Sequence, residues 1–177
     1  MNITVYLGAC EGCDPQLKQA VRELGTWIGT SGNSLVYGGS KTGLMGELAL
    51  AALEAGAKVT GVEPQFFVDS VLQLEGLTRL IVTPDIAERK AKMIELGEAF
   101  VAFPGGTGTL EEISQIMSMI GLGQLDAPCV FYNLNGYYNP MAEQLDRMLA
   151  CDLTSPERLQ GISFARNLDE LVACLQA

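Results

Sequence analysis

Short apolar runs and longer segments with apolar residues at helical spacing follow one another along most of the chain. The runs are rich in Val, Ile and aromatic residues, which is typical of strands buried on both faces of a parallel sheet. They predict strands at residues 2–8, 34–37, 58–62, 79–82, 99–103, 128–132 and 162–164.

Helices are predicted between these strands. Asp14-Pro15, Asp85 with Glu88, and Asn167 with Glu170 have the spacing of helix starts. Further helices are predicted from the Gly38–Gly46 turn to about Gly56, from about 110 to 122, and at 140–149, whereas 64–76 reads as a loop with a short helix. The alternation predicts one α/β domain over 1–177, a doubly wound Rossmann-like fold whose parallel sheet has helices on both faces.

The most informative stretch is Phe103–Glu112, Phe-Pro-Gly-Gly-Thr-Gly-Thr-Leu-Glu-Glu, which joins an apolar strand to an amphipathic helix. A glycine-rich turn of this kind presents backbone N–H groups and the positive end of a helix dipole to an anion such as phosphate. Glu112 would lie in the first turn of that helix, beside the anion and ionised because the dipole favours its charge. Alternatively, Thr109 and Glu112 form a capping box, in which Glu112 only bonds the backbone N–H of Thr109.

Two other stretches fall at the same edge of the predicted sheet. The turn Gly38–Gly46 matches neither the dinucleotide fingerprint nor the P-loop spacing, so it is either an anion cradle or a device for tight turning and close packing. Arg89 and Lys90 form either a solvated surface patch or a pair of cations that face a bound anion.

Composition excludes several classes of function. The formal net charge is −10 and the pI about 4.4, which disfavours nucleic-acid binding but not binding of one small phosphate. The chain has no histidine, which removes Ser-His-Asp and Cys-His catalysis and most zinc chemistry. We see no signal-peptide layout and no apolar run of membrane-spanning length, and we expect a cytoplasmic protein.

The five cysteines are odd in number and scattered, and we expect reduced thiols. Cys10-x-x-Cys13 lacks the neighbours of a thioredoxin-like site, and no second cysteine pair supports a zinc site. No metal and no cofactor is therefore predicted.

The residues Pro104–Glu112 match the pattern P-G-G-x-G-T-x-x-E, and the chain resembles the Lonely Guy (LOG) family. Tyr37-Gly-Gly with Gly43-Leu-Met-Gly46, then Glu88-Arg-Lys90, and finally Asn135-Gly-Tyr-Tyr138 resemble other stretches of that family in the same order. The resemblance covers about residues 3 to 150.

The resemblance implies a cytokinin riboside 5′-monophosphate phosphoribohydrolase, which cleaves the N-glycosidic bond of an adenine-type nucleotide. It implies Arg89 and Glu112 as the catalytic pair. The residues implied to contact the nucleotide are Gly39, Lys90, Gly105, Gly106, Thr107, Gly108 and Thr109. A homodimer is also implied, and the apolar segment Ile113–Leu122 offers a face for it. The family has carried the label lysine decarboxylase, but no feature of the sequence indicates a pyridoxal phosphate site.

The chain differs from the family at positions that are expected to lie around the base of the nucleotide. Ser40-Lys41-Thr42 replaces small, mostly uncharged residues, and the Met-His that often precedes the Arg-Lys pair is absent. A substrate-contacting Glu of the family falls at Val71, for which Asp69 or Glu75 could substitute. The sequence leaves open a non-catalytic nucleotide or cofactor carrier of the same fold. An NAD-linked oxidoreductase is weakened by the missing fingerprint.

Overall fold

Seven parallel strands form one sheet in the computed structural model, which describes residues 1–70 and 72–176. Turns that contain Gly, Pro, Asn or Asp lie next to most of the strands, as the sequence pattern indicated. The strands are β1 (Asn2–Tyr6), β2 (Ser34–Tyr37), β3 (Lys58–Pro64), β4 (Arg79–Thr83), β5 (Ala99–Ala102), β6 (Cys129–Tyr132) and β7 (Ile162–Ala165).

The strand order is β4-β3-β2-β1-β5-β6-β7, and every neighbouring pair is parallel. The chain therefore builds outward from β1 to β4, and then crosses back to place β5 on the other side of β1. The order reverses between β1 and β5, and ligands of doubly wound folds bind beyond the carboxyl ends of the strands at such a point.

Helices connect the strands and cover both faces of the sheet. They are α1 (Pro15–Thr30), α2 (Gly43–Glu54), α3 (Gln65–Val68), α4 (Ile86–Leu96), α5 (Thr107–Gly121), α6 (Asn139–Ala150) and α7 (Leu168–Gln176). Short 3-10 turns lie at Leu134–Gly136 and Pro156–Leu159. The side chain of Asp14 caps α1 and that of Asp85 caps α4, as predicted.

Two apolar cores lie on opposite faces of the sheet. The first packs α1, α2 and α7 against alternate strand residues such as Ile3 and Val5. The second packs α4, α5 and α6 around Phe100, Met93 and Ile113. All four residues of β5 are buried, which explains why this strand has no polar position. The predicted doubly wound α/β fold with both faces covered is thus confirmed.

Several element bounds differ from the prediction. β1 ends at Tyr6, before Gly8, whereas β3 continues two residues beyond Val62 because Glu63 and Pro64 pair with β4. α5 begins at Thr107, with Gly106 as its N-cap residue, and Glu112 is therefore the sixth residue of the helix. Glu112 lies in the second turn, not the first.

Candidate active site

A cleft of about 660 Å³ opens at the carboxyl ends of the strands, where the order of the sheet reverses. The turns after β1, β2 and β5 and the first turns of α4 and α5 line it. These turns come from distant parts of the sequence and meet here because parallel strands place their carboxyl ends on one edge of the sheet.

One wall of the cleft is the glycine-rich turn that leads into α5. No side chain of the described residues caps the helix, so the N–H groups of its first turn face the cleft without a capping partner there. Gly105 packs so closely that a Cβ atom there would overlap Thr109 Oγ1 and lie 2.9 Å from the backbone N of Gly8. The wall has the geometry of an anion-binding site.

Two tyrosines hold this wall from behind. Tyr137 Oη donates a hydrogen bond to the carbonyl of Gly105 at 2.5 Å, and Tyr138 Oη donates to the carbonyl of Phe103 at 2.9 Å. Just before these tyrosines, Asn135 has φ 51° and Gly136 has φ 76°, both in the left-handed region. This backbone conformation allows both tyrosine hydroxyls to reach the carbonyls that follow β5. The Asn135–Tyr138 stretch therefore has a structural role.

Arg89 and Glu112 meet in the cleft. Arg89 Nη1 donates to Glu112 Oε1 at 2.5 Å, and Arg89 Nε donates to the carbonyl of Val62 at 3.0 Å. Each residue is only 8% exposed. The solvated-patch interpretation is therefore wrong for Arg89, and the capping-box interpretation is wrong for Glu112, whose carboxylate bonds a guanidinium instead.

The turn after β2 makes room for this pair. A Cβ atom on Gly38 would lie 2.6 Å from Arg89 Nη2, so a larger residue would displace the guanidinium. Gly43, with φ 53°, packs on the backbone of Ala9 and Cys10, and Gly46 packs on the carbonyl of Lys41. Gly43 thus brings the start of α2 against the turn after β1, and Gly46 lies against the backbone of its own turn; both fit the close-packing alternative.

The electrostatics of Glu112 differ from the prediction. Burial raises the pKa of the Glu112 carboxyl above its usual range, and the Arg89 guanidinium opposes that rise. The sequence predicts a carboxylate in the first turn, where the helix dipole stabilises its charge. In the second turn, where the carboxyl is buried, desolvation outweighs the stabilisation of the charged form by Arg89.

The structure places most of the predicted site residues in the cleft. The residues that line it are Arg89, Lys90, Gly105, Gly106, Thr107, Gly108, Thr109 and Glu112. Lys90 Nζ donates to Glu111 Oε1 at 2.5 Å at the rim. Gly39 is not part of the lining; it has φ 91°, and a Cβ atom there would lie 3.1 Å from Glu63 Cγ. Nucleotide binding by these residues stays a prediction.

The sequence did not indicate the roles of two residues that line the cleft. The hydroxyl of Tyr137 supports the turn before α5, and Glu63 contributes a buried carboxyl. Glu63 gives no motif signal, because it follows a strand that is predicted to end at Val62. Val71, at the position of the family's substrate-contacting Glu, lies outside the described residues. Asp69 and Glu75 are exposed and do not line the cleft.

Cys10 and Cys13 are exposed in the turn after β1, and Cys10 lines the cleft. In the part of the chain that the structure describes, no cluster of three or more His, Cys, Asp or Glu side chains is arranged to hold a metal ion. Over the same residues, no helix is both long enough and apolar enough to cross a membrane.

Comparison with known proteins shows which family the chain is similar to. A family model described as "Possible lysine decarboxylase" matches residues 45–175. The cytokinin riboside 5′-monophosphate phosphoribohydrolase of Rhodococcoides fascians is 36% identical, and the match covers 99% of this chain and 89% of that protein. The Arabidopsis thaliana enzyme of the same name, LOG1, is 34% identical, with 99% and 82% covered.

Solved structures agree on the fold. A molybdenum cofactor carrier protein from Chlamydomonas reinhardtii superposes with a TM-score of 0.75 at 23% identity, covering 99% of this chain and 95% of that one. A molybdenum cofactor binding protein from Rippkaea orientalis gives 0.71 at 19% identity, covering 99% and 94%. At this identity the likeness concerns the fold alone. The sequence relatives are close enough to decide the family, and the chain belongs to the Lonely Guy family of cytokinin riboside 5′-monophosphate phosphoribohydrolases.

Proposed function

We propose that this protein hydrolyses the N-glycosidic bond of an adenine-type nucleoside 5′-monophosphate and releases the free base and ribose 5-phosphate. The observation that carries the proposal is the buried contact between Arg89 and Glu112, 2.5 Å apart in a cleft walled by the open N-terminus of α5. A site that only holds phosphate has no need of a carboxylate beside it. The named activity of the sequence relatives supports the same reaction.

The binding step uses the α5 wall. Backbone N–H groups of Gly106, Thr107 and Gly108 would hold the 5′-phosphate, with the helix dipole favouring its charge. Lys90 would exchange its contact with Glu111 for the phosphate. Binding energy gained at the phosphate, away from the reacting bond, would fix the position of the sugar against Glu112.

The chemical step breaks the bond between ribose C1′ and the base nitrogen, and positive charge develops on the sugar as it breaks. The carboxylate of Glu112 would stabilise that charge and orient the attacking water. A bond forms between the water oxygen and C1′, and the base leaves with the bonding electron pair. Water thus supplies the hydroxyl group on C1′ and the proton on the base. Arg89, fixed by Val62, would hold both Glu112 and the ribose oxygens in place.

The pH profile should reflect the burial of Glu112. Because burial raises the pKa of this carboxyl and the ionised form is the active one, kcat should rise with pH through a limb above the ordinary Glu value of about 4.3. The measurement is kcat at saturating AMP from pH 4 to 8, with circular dichroism at each pH to confirm the fold. Since phosphate itself titrates near about pH 6, binding is measured separately. Full activity in folded protein at pH 4 would contradict the assignment.

The reaction is tested by incubating the protein with AMP and with isopentenyladenosine 5′-monophosphate and separating the products by chromatography. Equal amounts of free base and ribose 5-phosphate are expected. Adenosine, which lacks the phosphate, is the matched control and should react far more slowly. Tight binding without base release would instead indicate a carrier of the same fold.

We also infer a homodimer. The predicted face, Ile113–Leu122, is only partly available, because Ile113 and Ile116 are buried in the core of the subunit. The exposed apolar residues of this region are Leu110 and Leu122, at 43% and 64% exposure. We expect light scattering to give twice the chain mass, and Leu122→Asp to shift it toward the monomer; a monomeric wild type would contradict the inference.

A further inference from the structure

Glu63 is a buried carboxyl that the proposed reaction does not use. It lies at the end of β3, is 1% exposed, and lines the cleft. Its Oε2 atom has no hydrogen-bond partner among the described residues. A buried polar atom without a partner costs free energy, and such a group in a native protein calls for an explanation, such as a bound ligand or a catalytic role. Tyr37 and Gln73 also have a buried oxygen without a described partner, but neither lines the cleft.

Glu63 occupies a defined place relative to the reacting centre. The preceding residue, Val62, accepts a hydrogen bond from Arg89 Nε, while Arg89 Nη1 reaches the other way to Glu112. Arg89 thus lies between Glu63 and the α5 wall. Apolar side chains also line the cleft: Phe67 and Leu72 follow Glu63 in the chain, and Met45 comes from the turn and helix after β2.

This arrangement fits the order of groups in a nucleotide. With the phosphate at the N-terminus of α5 and the ribose at Arg89 and Glu112, the base extends to the end of the cleft where Glu63 lies. Apolar side chains there suit the faces of a base, and a carboxyl oxygen suits a hydrogen-bond donor on its edge.

We infer that Glu63 selects a purine with an exocyclic amino group, whose N–H donates a hydrogen bond to the carboxyl group of Glu63. This inference rests on the proposed function, because that function sets the direction of the nucleotide in the cleft. A 6-oxo purine presents an acceptor at the same place, which would leave two acceptors facing each other without a donor.

The protonation of Glu63 does not alter this contact. Burial raises the pKa of Glu63, and the nearby Arg89 opposes the rise. Both the ionised and the neutral carboxyl retain an oxygen that accepts a hydrogen bond from an amino group. The neutral form adds an O–H donor, which would also pair with a 6-oxo group, so the preference for AMP should be greatest at pH values where Glu63 is ionised.

The test compares AMP with IMP, whose bases differ in the 6-amino and 6-oxo groups. The dissociation constant is measured by calorimetry, and kcat/KM by base release, for wild type, Glu63→Leu and Glu63→Gln. Glu63→Leu should weaken AMP binding about 10- to 100-fold and should not weaken IMP binding, because it also removes the acceptor that opposes the 6-oxo group. Glu63→Gln keeps an acceptor for AMP and adds a donor for the 6-oxo group, so its preference for AMP should fall about tenfold through a gain in IMP binding.

Glu143, exposed on α6 away from the cleft, provides the matched controls Glu143→Leu and Glu143→Gln, which should keep the wild-type preference. Because Glu63→Leu removes a buried oxygen that lacks a described partner, it should be at least as stable as wild type. Equal loss of AMP and IMP binding in Glu63→Leu, or an unchanged preference in Glu63→Gln, would overturn the inference.

The same experiment separates this inference from the proposed function. If the wild type prefers AMP, the Glu63 variants change that preference and no base is released, the hydrolase proposal fails and the base-selecting role of Glu63 stands. If base is released from AMP and IMP alike, the hydrolase proposal stands and the role of Glu63 is wrong. Binding of neither nucleotide would overturn both.

Discussion

Glu112→Gln is expected to lower kcat for base release from AMP by at least about 100-fold, the range seen for loss of a group that acts on water or on developing charge. The amide is nearly isosteric, and its oxygen can still accept the hydrogen bond from Arg89. It cannot carry the negative charge that stabilises the sugar in the transition state. The dissociation constant for AMP should change far less than kcat, because the phosphate contacts remain.

The stability of the same variant provides a second readout. A raised pKa means that the folded protein holds the Glu112 proton to higher pH than the unfolded chain does, so the contribution of this carboxyl to stability falls as pH rises through that pKa. The amide of the variant does not titrate. Chemical denaturation of both proteins from pH 4 to 8 should therefore show wild type losing stability relative to the variant. Retained turnover in the folded variant would exclude Glu112 as the reacting carboxylate.

Arg89→Ala is expected to reduce both activity and stability. Turnover should fall about 100-fold or more, because the guanidinium positions Glu112 and the sugar. Removing it also leaves a buried carboxylate without its cation and the carbonyl of Val62 without its donor. Loss of one partner of a buried ion pair typically costs about 3–5 kcal/mol. Since a domain has about 5–15 kcal/mol of stability, the variant should fold, with a lower unfolding free energy.

The pH dependence and a double variant identify the cause of that loss. Without Arg89 the pKa of Glu112 should rise further, so the stability penalty should shrink at low pH, where Glu112 is protonated, and grow as pH rises. The double variant Arg89→Ala with Glu112→Gln should regain part of the stability and none of the activity. Lys92→Ala, on the same helix but in a surface pair with Glu95, should stay within about 0.5 kcal/mol of wild type. A penalty independent of both pH and Glu112 would contradict this account.

The elements of the site can be predicted from the sequence because their signals are local. The apolar run before Pro104, the glycines after it and the helical spacing that follows place an anion-binding turn at the edge of a parallel sheet. Asp85 predicts the start of α4, which puts Arg89 near the same edge. The motif that resembles the Lonely Guy family then singles out Arg89 and Glu112.

The errors have a common physical origin. Thr109 and Glu112 have the spacing of a capping box, which predicts too late a start for α5, while the actual helix begins with Gly106 as N-cap residue. Glu112 lies in the second turn of this helix, where it bonds Arg89 and is desolvated. Gly39, which the resemblance implies as a nucleotide contact, does not line the cleft; its φ lies in the left-handed region and its neighbour is Glu63.

The sequence by itself determined the alternation of strands and helices, the phosphate-type turn before α5, and, through the absence of histidine, the classes of catalysis that are excluded. Only the tertiary structure decided that Arg89 and Glu112 share one buried contact, that two tyrosines brace the turn, and that Glu63 lines the cleft with an oxygen unpaired among the described residues. Helix starts and turns depend on neighbouring residues, whereas burial and pKa depend on segments that are far apart in the chain and meet only when the sheet reverses its order between β1 and β5.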